Sequence, residues 1–418
     1  MLSQIEGSQA VAQAVALARP EVICAYPISP QTHIVEALSV AVKSGTLKNC
    51  EFINVESEFA ALSVSIGASA AGARTYTATA SQGLLFMIEA VYNASGLGLP
   101  IVMTLANRAI GAPINIWNDH SDAMAVRDSG WIQLFAETNQ DAADLHIFAF
   151  RLAEELSLPV MVNMDGFILT HATERVEIPE QREVDAFLPS YSPRSYLDPN
   201  DPISIGAMVG PEAFTEVRYL AHLRQGEALE TIPRLAEEFA ERFGRNPSGL
   251  LSEYRTSNAR VIVVTMGSVI GTIKDAVDEL RESGVLVGVI GVRTFRPFPA
   301  QAIRTALASA ERIVVLEKSY AVGYGGVLAA DCLVALRDTP SEVHSVIAGL
   351  GGRPITKASL MEMLTSAALG HLGSETFLDL DESLLKSQVD SLASARKSTG
   401  TKGDAVSAKL RQSPPKQG

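Results

Sequence analysis

The chain has 418 residues, 47% apolar and 19% charged, which is enough for two or three domains with an ample core. Its net charge of −13 excludes a nucleic-acid-binding surface. Cys24, Cys50 and Cys332 are too widely spaced for a CxxC metal site or for a cluster held by this chain alone, so no metal is expected here. Reduced thiols and a cytoplasmic setting follow. The first nine residues lack the regions of a signal peptide, and no uncharged apolar run of 18 residues offers a membrane span.

Apolar spacing predicts a helix over 8–18, with Ser8 as its N-cap, and a short buried strand over 22–25. The Tyr26-Pro27-Ile28-Ser29-Pro30 stretch then breaks the chain, because prolines three apart permit neither helix nor ladder. A helix over 31–44 and a strand over 51–55 lead to Glu58, in the first turn of a helix built from Ala, Ser, Gly and Val. A carboxylate there is favoured by the helix dipole, whether it only helps to start the helix or has a shifted pKa and a task. This helix has no charge until Arg74, which predicts burial on nearly every face.

A strand over 75–80 follows, and Ser81-Gln82-Gly83 opens a helix to 96. A strand spans 100–105, a long loop 106–124, a helix 140–156 and a strand 159–163. Strands alternating with helices define an α/β fold, an open and mostly parallel sheet covered on both faces. The segment 166–257 is proline-rich, with one clear helix pattern over 229–243. It reads as a connecting arm wrapped on a neighbour, since Phe167, Phe187, Tyr191, Tyr196 and Tyr219 need burial.

A second α/β unit covers 258–370. Its strands are predicted at 261–266, 285–292, 312–317 and 343–347, with a loop at 293–299 and a glycine-opened helix at 323–336. Gly323-Tyr324-Gly325-Gly326 lacks the GxGxxG order and marks close packing rather than a phosphate loop. From 391 to 418 the composition predicts a disordered basic tail.

Several motifs then line up in order. They are Ala25–Pro30, Glu56-Ser57-Glu58, Thr79–Leu84, Asn107-Arg108-Ala109, Ala112–Asp119, Arg127–Gln133, Thr294–Pro299 and Ala348–Gly352. Together, over residues 5–370, the chain resembles the alpha subunit of the pyruvate:ferredoxin oxidoreductases, which are thiamine-diphosphate-dependent 2-oxoacid oxidoreductases. The resemblance implies a pyrimidine-binding thiamine domain at 1–165 and a transketolase C-terminal-like domain at 258–370.

It also implies roles. Glu58 would be the carboxylate that hydrogen-bonds the cofactor's pyrimidine nitrogen and favours its imino tautomer; Glu56 is its neighbour and rival. Arg108 would bind the 2-oxoacid carboxylate, unless it is a structural partner of Asp119 or Asp122. Ser29 stands where the pyruvate enzymes usually have threonine; it keeps the hydroxyl that contacts substrate and leaves room for a bulkier acid. Ser81 and Gln82 would pack on the pyrimidine side, although a helix start there is also able to bind an anion. Asn115, Asn118, Asp119 and His120 share the loop with Arg108, and His120 reads as a plain polar residue.

The Gly-Asp-Gly diphosphate motif is missing, Asp165-Gly166 being the nearest approach. The chain is therefore expected to supply only the pyrimidine half of the site. A beta subunit would hold diphosphate and Mg²⁺, and other subunits, gamma and delta in type, would carry [4Fe-4S] clusters and coenzyme A contacts. Electrons would pass to ferredoxin. Pyruvate is the leading substrate, with branched-chain 2-oxoacids or phenylglyoxylate as alternatives, the last with NAD as possible acceptor. A lipoamide-linked or transketolase-like thiamine enzyme and a non-catalytic interaction subunit are rivals of other classes.

Overall fold

The computed structural model describes residues 2–246 and 249–398. Two compact units are present, divided after residue 376. The first opens with β1 (Leu2–Glu6), α1 (Gly7–Leu17), β2 (Val22–Ala25), α2 (Thr32–Lys43), β3 (Glu51–Asn54), α3 (Glu58–Ala70) and β4 (Thr75–Thr79). Next come α4 (Ser81–Phe86), α5 (Ile88–Gly96), β5 (Val102–Asn107), α6 (Ser121–Ala125), β6 (Ile132–Phe135), α7 (Asn139–Leu156) and β7 (Val160–Asp165). A connecting stretch holds β8 (Thr173–Glu177), α8 (Gln181–Phe187) and α9 (Phe214–Phe243). The remainder is β9 (Leu251–Tyr254), β10 (Val261–Thr265), α10 (Val269–Glu282), β11 (Val287–Val292), β12 (Thr294–Arg296), α11 (Ala300–Ala306), β13 (Arg312–Glu317), α12 (Val327–Leu336), β14 (Glu342–Ile347), α13 (Lys357–Ala368) and β15 (Glu375–Phe377).

The strands form two large sheets. In the first the order is β12-β6-β7-β5-β4-β2-β3, parallel throughout except for β12. In the second, β14-β13-β10-β11 run parallel and β9 lies antiparallel at the edge. Both read as continuous apolar or β-branched runs, as strands covered on two faces must. Alternating elements predicted this α/β arrangement. The antiparallel β12, expected as loop, adds residues 294–296 to the first sheet and so ties both halves of the unit together.

Small side chains set the spacing of the helices. Ala10, Val11, Ala14 and Val15 of α1 are fully buried in the same core as Leu145, Phe148, Ala149 and Leu152 of α7. Each buried Val, Leu or Phe contributes about 1.5–3 kcal/mol relative to exposure.

Several local expectations need correction. Ser8 lies inside α1 and donates to the Thr170 carbonyl at 2.7 Å instead of capping the helix. The long helix of the arm begins at Phe214, fifteen residues before the predicted start; its first half is exposed, Phe214, Val217, Leu220 and Leu223 included. Phe187 is buried, but Tyr196 and Tyr219 are exposed. Helix α12 starts at Val327, after a glycine turn. Residues 391–398, expected as the start of a disordered tail, continue α14 (Glu382–Ser398) in the second unit; residues 399–418 lie outside the described part.

Candidate active site

The order of the first sheet places a crevice. The chain runs from β2 outward to β3, then returns to lay β4 on the other side of β2. At such a reversal the connections after neighbouring strands part, and ligands bind beyond the carboxyl ends. The segments there are 26–31 after β2, 55–58 after β3, 80–83 after β4, 108–120 after β5 and 166–171 after β7.

Glu58 is the first residue of α3. Ser57 caps that helix, its Oγ accepting from Ala60 N at 3.2 Å. The helix dipole stabilises the Glu58 carboxylate at this position. Only 8% of the residue is exposed, yet its carboxylate has no hydrogen-bond or ion-pair partner among the described residues. A methyl group at Gly83 would stand 2.8 Å from Glu58 Oε1 and 2.6 Å from Thr79 Oγ1. The Thr79 hydroxyl is itself buried without a partner. A buried acceptor and a buried hydroxyl thus converge on the bare backbone of Gly83, a place that only glycine fits. That is the kind of cradle a polar ring edge fills, so these residues fit a bound pyrimidine.

Helix α3 is not buried on nearly every face in this chain. Phe59, Ser63 and Gly67, four residues apart, form an uncharged exposed stripe, while Ala61, Leu62, Ser65 and Ser69 face inward.

Arg108, just past β5, is 6% exposed. Its Nη1 donates to the Ser29 carbonyl at 3.0 Å and its Nε to the Asn115 carbonyl at 3.1 Å. Burial lowers its pKa, and Asp122 opposes that fall. Neither Asp119 nor Asp122 pairs with the guanidinium. Asp122 instead accepts four N–H bonds, from Ser81 N (3.0 Å), Arg108 N (2.9 Å), Asn107 Nδ2 (3.0 Å) and Ala123 N (2.8 Å). Burial still pushes its carboxyl up to about 6, against the pull of these donors. Asp119 accepts from Ser121 and from Gly351 N. The guanidinium is therefore oriented by carbonyls, and no carboxylate among the described residues neutralises it.

Ser29 is exposed beside Arg108, and Pro30 packs on Gly166. Ser81 has φ +49° and its Oγ lies 2.5 Å from the Ala109 carbonyl, next to Gln82 Oε1. Its backbone N–H already belongs to Asp122, so the start of α4 is not an open anion site. The 81–83 segment bridges the two halves of the crevice: Ser81 touches the Arg108 loop and Gly83 touches Glu58.

A cluster that sequence reasoning missed locks this edge to the second sheet. Asp165, fully buried at the end of β7, accepts from Lys318 Nζ (2.9 Å), Ser268 N (3.0 Å), Ser268 Oγ and Asn118 Nδ2 (3.2 Å), and lies 2.7 Å from His120 Nε2. Burial would raise its pKa, but the Lys318 and His120 charges outweigh that and hold it well below the usual carboxylate range. His120, expected as a plain loop residue, is 1% exposed within this network. Asp165 and Lys318 are 153 positions apart, each at the end of an apolar strand, and no local pattern links them. Among the described residues no group of three metal-ligating side chains is assembled.

Fold and crevice together define a thiamine-type α/β enzyme subunit. Comparison with known proteins is specific. Residues 13–237 match the family described as pyruvate flavodoxin/ferredoxin oxidoreductase, thiamine diphosphate-binding, and residues 259–360 match the pyruvate:ferredoxin oxidoreductase core domain II. The pyruvate synthase subunit PorA of Methanosarcina barkeri is 47% identical over 390 residues, covering 91% of this chain and 97% of that protein. The ketoisovalerate oxidoreductase subunit VorA of Pyrococcus abyssi is 40% identical over 355 residues, 84% of this chain and 90% of that one. A solved 2-oxoglutarate:ferredoxin oxidoreductase from Magnetococcus marinus, with 2-oxoglutarate, coenzyme A and succinyl-CoA bound, shares the fold at a TM-score of 0.66 and 19% identity. That match covers 88% of this chain and 65% of the longer one. The chain belongs to the thiamine-diphosphate-binding pyruvate flavodoxin/ferredoxin oxidoreductase family, as the alpha subunit of a 2-oxoacid:ferredoxin oxidoreductase. Its two α/β halves are of the pyrimidine-binding and transketolase C-terminal-like types. No helix among the described residues is long and apolar enough to cross a membrane.

Proposed function

We propose that this chain supplies the pyrimidine side of a thiamine diphosphate site and the grip on the substrate's carboxylate, in an enzyme that oxidises pyruvate with coenzyme A to acetyl-CoA and CO2. The observation that carries the reading is Glu58, a buried carboxylate without a partner among the described residues, packed against Gly83 where any larger side chain would collide with it. When bound, thiamine diphosphate supplies the nucleophilic carbon and the electron sink. Glu58 accepts a hydrogen bond from the pyrimidine ring nitrogen and so holds the proton that favours the imino tautomer. Ser81 and Gln82 shape the wall on that side.

Arg108 binds the 2-oxoacid carboxylate. No carboxylate among the described residues forms an ion pair with its guanidinium, and carbonyls fix its plane, which suits a planar anion. Ser29 offers its hydroxyl beside it.

A beta-type subunit completes the site with diphosphate and Mg²⁺ binding. The uncharged exposed stripe of Phe59, Ser63 and Gly67 beside Glu58 supports such a neighbour. The [4Fe-4S] clusters and further coenzyme A contacts belong to beta-, gamma- and delta-type partners. The two electrons leave singly to ferredoxin, and the acyl group passes to the thiol. The three unpaired cysteines support a reducing, cytoplasmic setting.

A second reading keeps the chemistry and changes the acid. Ser29 in place of threonine, together with the VorA likeness, favours testing branched-chain 2-oxoacids and phenylglyoxylate. The complete purified complex is assayed for acyl-CoA formation with a low-potential dye. The highest kcat/KM with pyruvate supports the proposal. A higher value with 2-oxoisovalerate or phenylglyoxylate reassigns the substrate.

A further inference from the structure

Beyond β14 the chain makes a turn with three left-handed glycines, Gly349 (φ +68°), Gly351 (φ +59°) and Gly352 (φ +81°). None of the roles above uses it. It meets the Arg108 loop, more than 230 residues away in sequence. Asn115 Nδ2 donates to the Gly351 carbonyl at 3.1 Å, and Gly351 N donates to Asp119 Oδ2 at 3.0 Å. A methyl group at Gly351 would stand 2.6 Å from Asn115 Nδ2, and one at Gly352 would collide with Trp117 Cβ. Only glycine permits both the backbone angles and the approach.

Asn115 faces both ways. Its side chain holds the turn, while its own carbonyl accepts from Arg108 Nε at 3.1 Å. Its Oδ1 accepts from Trp117 N at 2.7 Å, and the Trp117 carbonyl accepts from Ala109 N at 3.0 Å, next to Arg108. A guanidinium has five N–H donors in one plane. With Nε bound to Asn115 and one Nη1 hydrogen to Ser29, the plane is fixed, and the remaining donors have no partner among the described residues and can grip an anion.

We infer that the 349–352 turn and Asn115 are positioning elements for the 2-oxoacid carboxylate, acting through the orientation of Arg108. The second sheet's half of the molecule thus reaches into substrate binding without touching substrate. This rests on Arg108 as the carboxylate-binding residue.

The test uses the complete complex and measures KM and kcat for pyruvate in Gly351→Ala, Asn115→Ala, Arg108→Lys and the double variant Asn115→Ala/Arg108→Lys. Asn115→Ala and Gly351→Ala are each expected to raise KM about tenfold and to leave kcat within about threefold, since a misplaced guanidinium loses bonds to a charged group. In the Arg108→Lys background, Asn115→Ala should add less than about twofold, because its partner is already gone. If Gly351→Ala does not assemble, the Asn115 cycle decides alone. An Arg108→Lys enzyme with raised KM, beside Asn115→Ala with normal KM or with fully additive loss, overturns the inference and leaves the Arg108 reading standing. Normal KM in Arg108→Lys overturns the Arg108 reading, and the inference with it.

Discussion

The carboxyl edges of the two parallel sheets use the same residue types for opposite ends. In the second sheet the buried edge charges Glu317 and Lys318 are both consumed. Glu317, 1% exposed at the end of β13, accepts from Val327 N (2.8 Å), Leu328 N (2.9 Å), Ala329 N (3.0 Å) and Ser319 Oγ (2.8 Å), and so caps α12. Its neighbour Lys318 is spent on Asp165. In the first sheet, Glu58 sits at an equivalent kind of place, at a helix start and nearly as buried, but takes no hydrogen bond. Arg108 is fixed by carbonyls alone. A carboxylate saturated with donors holds structure, whereas one left unsaturated keeps its acceptor capacity for a ligand. The contrast separates anchoring carboxylates, which include Asp122 and Asp165 at the first sheet's own edge, from the acting site around Glu58 more sharply than fold does, because both halves are α/β.

The largest effect is expected at the acting edge: Glu58→Gln should lower pyruvate-dependent dye reduction about 10³-fold with the complex still assembled, within the range for a lost acid–base partner. At the junction of the two sheets, Asp165→Ala leaves Lys318 buried and unpaired and should cost about 3–5 kcal/mol in urea unfolding.

Its pH dependence has a definite sign. The native pKa of Asp165 is depressed, so its contribution is complete above about 3.8, its ordinary value, and is lost progressively as pH falls from there through the native pKa. The stability gap between wild type and Asp165→Asn should therefore narrow below about pH 3.8. Glu317→Ala strands three N–H groups at the start of α12 and should cost about 2–3 kcal/mol in thermal unfolding with KM unchanged. The smallest effect is expected from Ser29→Thr. One methyl group should shift the kcat/KM ratio of pyruvate to 2-oxoisovalerate about tenfold toward pyruvate.

Much of this was legible in the sequence because the information was local. Apolar runs and breakers placed the alternating strands and helices, and the motifs that resemble the family's singled out Glu58 and Arg108. The missing parts depend on distant pairs. Asp165 with Lys318, and Asn115 with Gly351, are joined by topology, and nothing within a helical or strand period marks either partner. The first half of α9 carries Phe214, Val217, Leu220 and Leu223 at near-helical spacing but leaves them exposed, and the proline-rich reading of the arm passed over that pattern. Tyr219 shows that an aromatic side chain in the arm need not be covered by its own chain, since it remains 61% exposed.

The most direct test of the central claim is the rate at which thiamine diphosphate, bound to the complete complex, exchanges its thiazolium C2 proton for deuterium, measured in wild type and in Glu58→Gln. The account predicts exchange slowed by about 10²–10³-fold in the variant, with cofactor still bound. Equal rates in both proteins would contradict it and remove Glu58 from the chemistry.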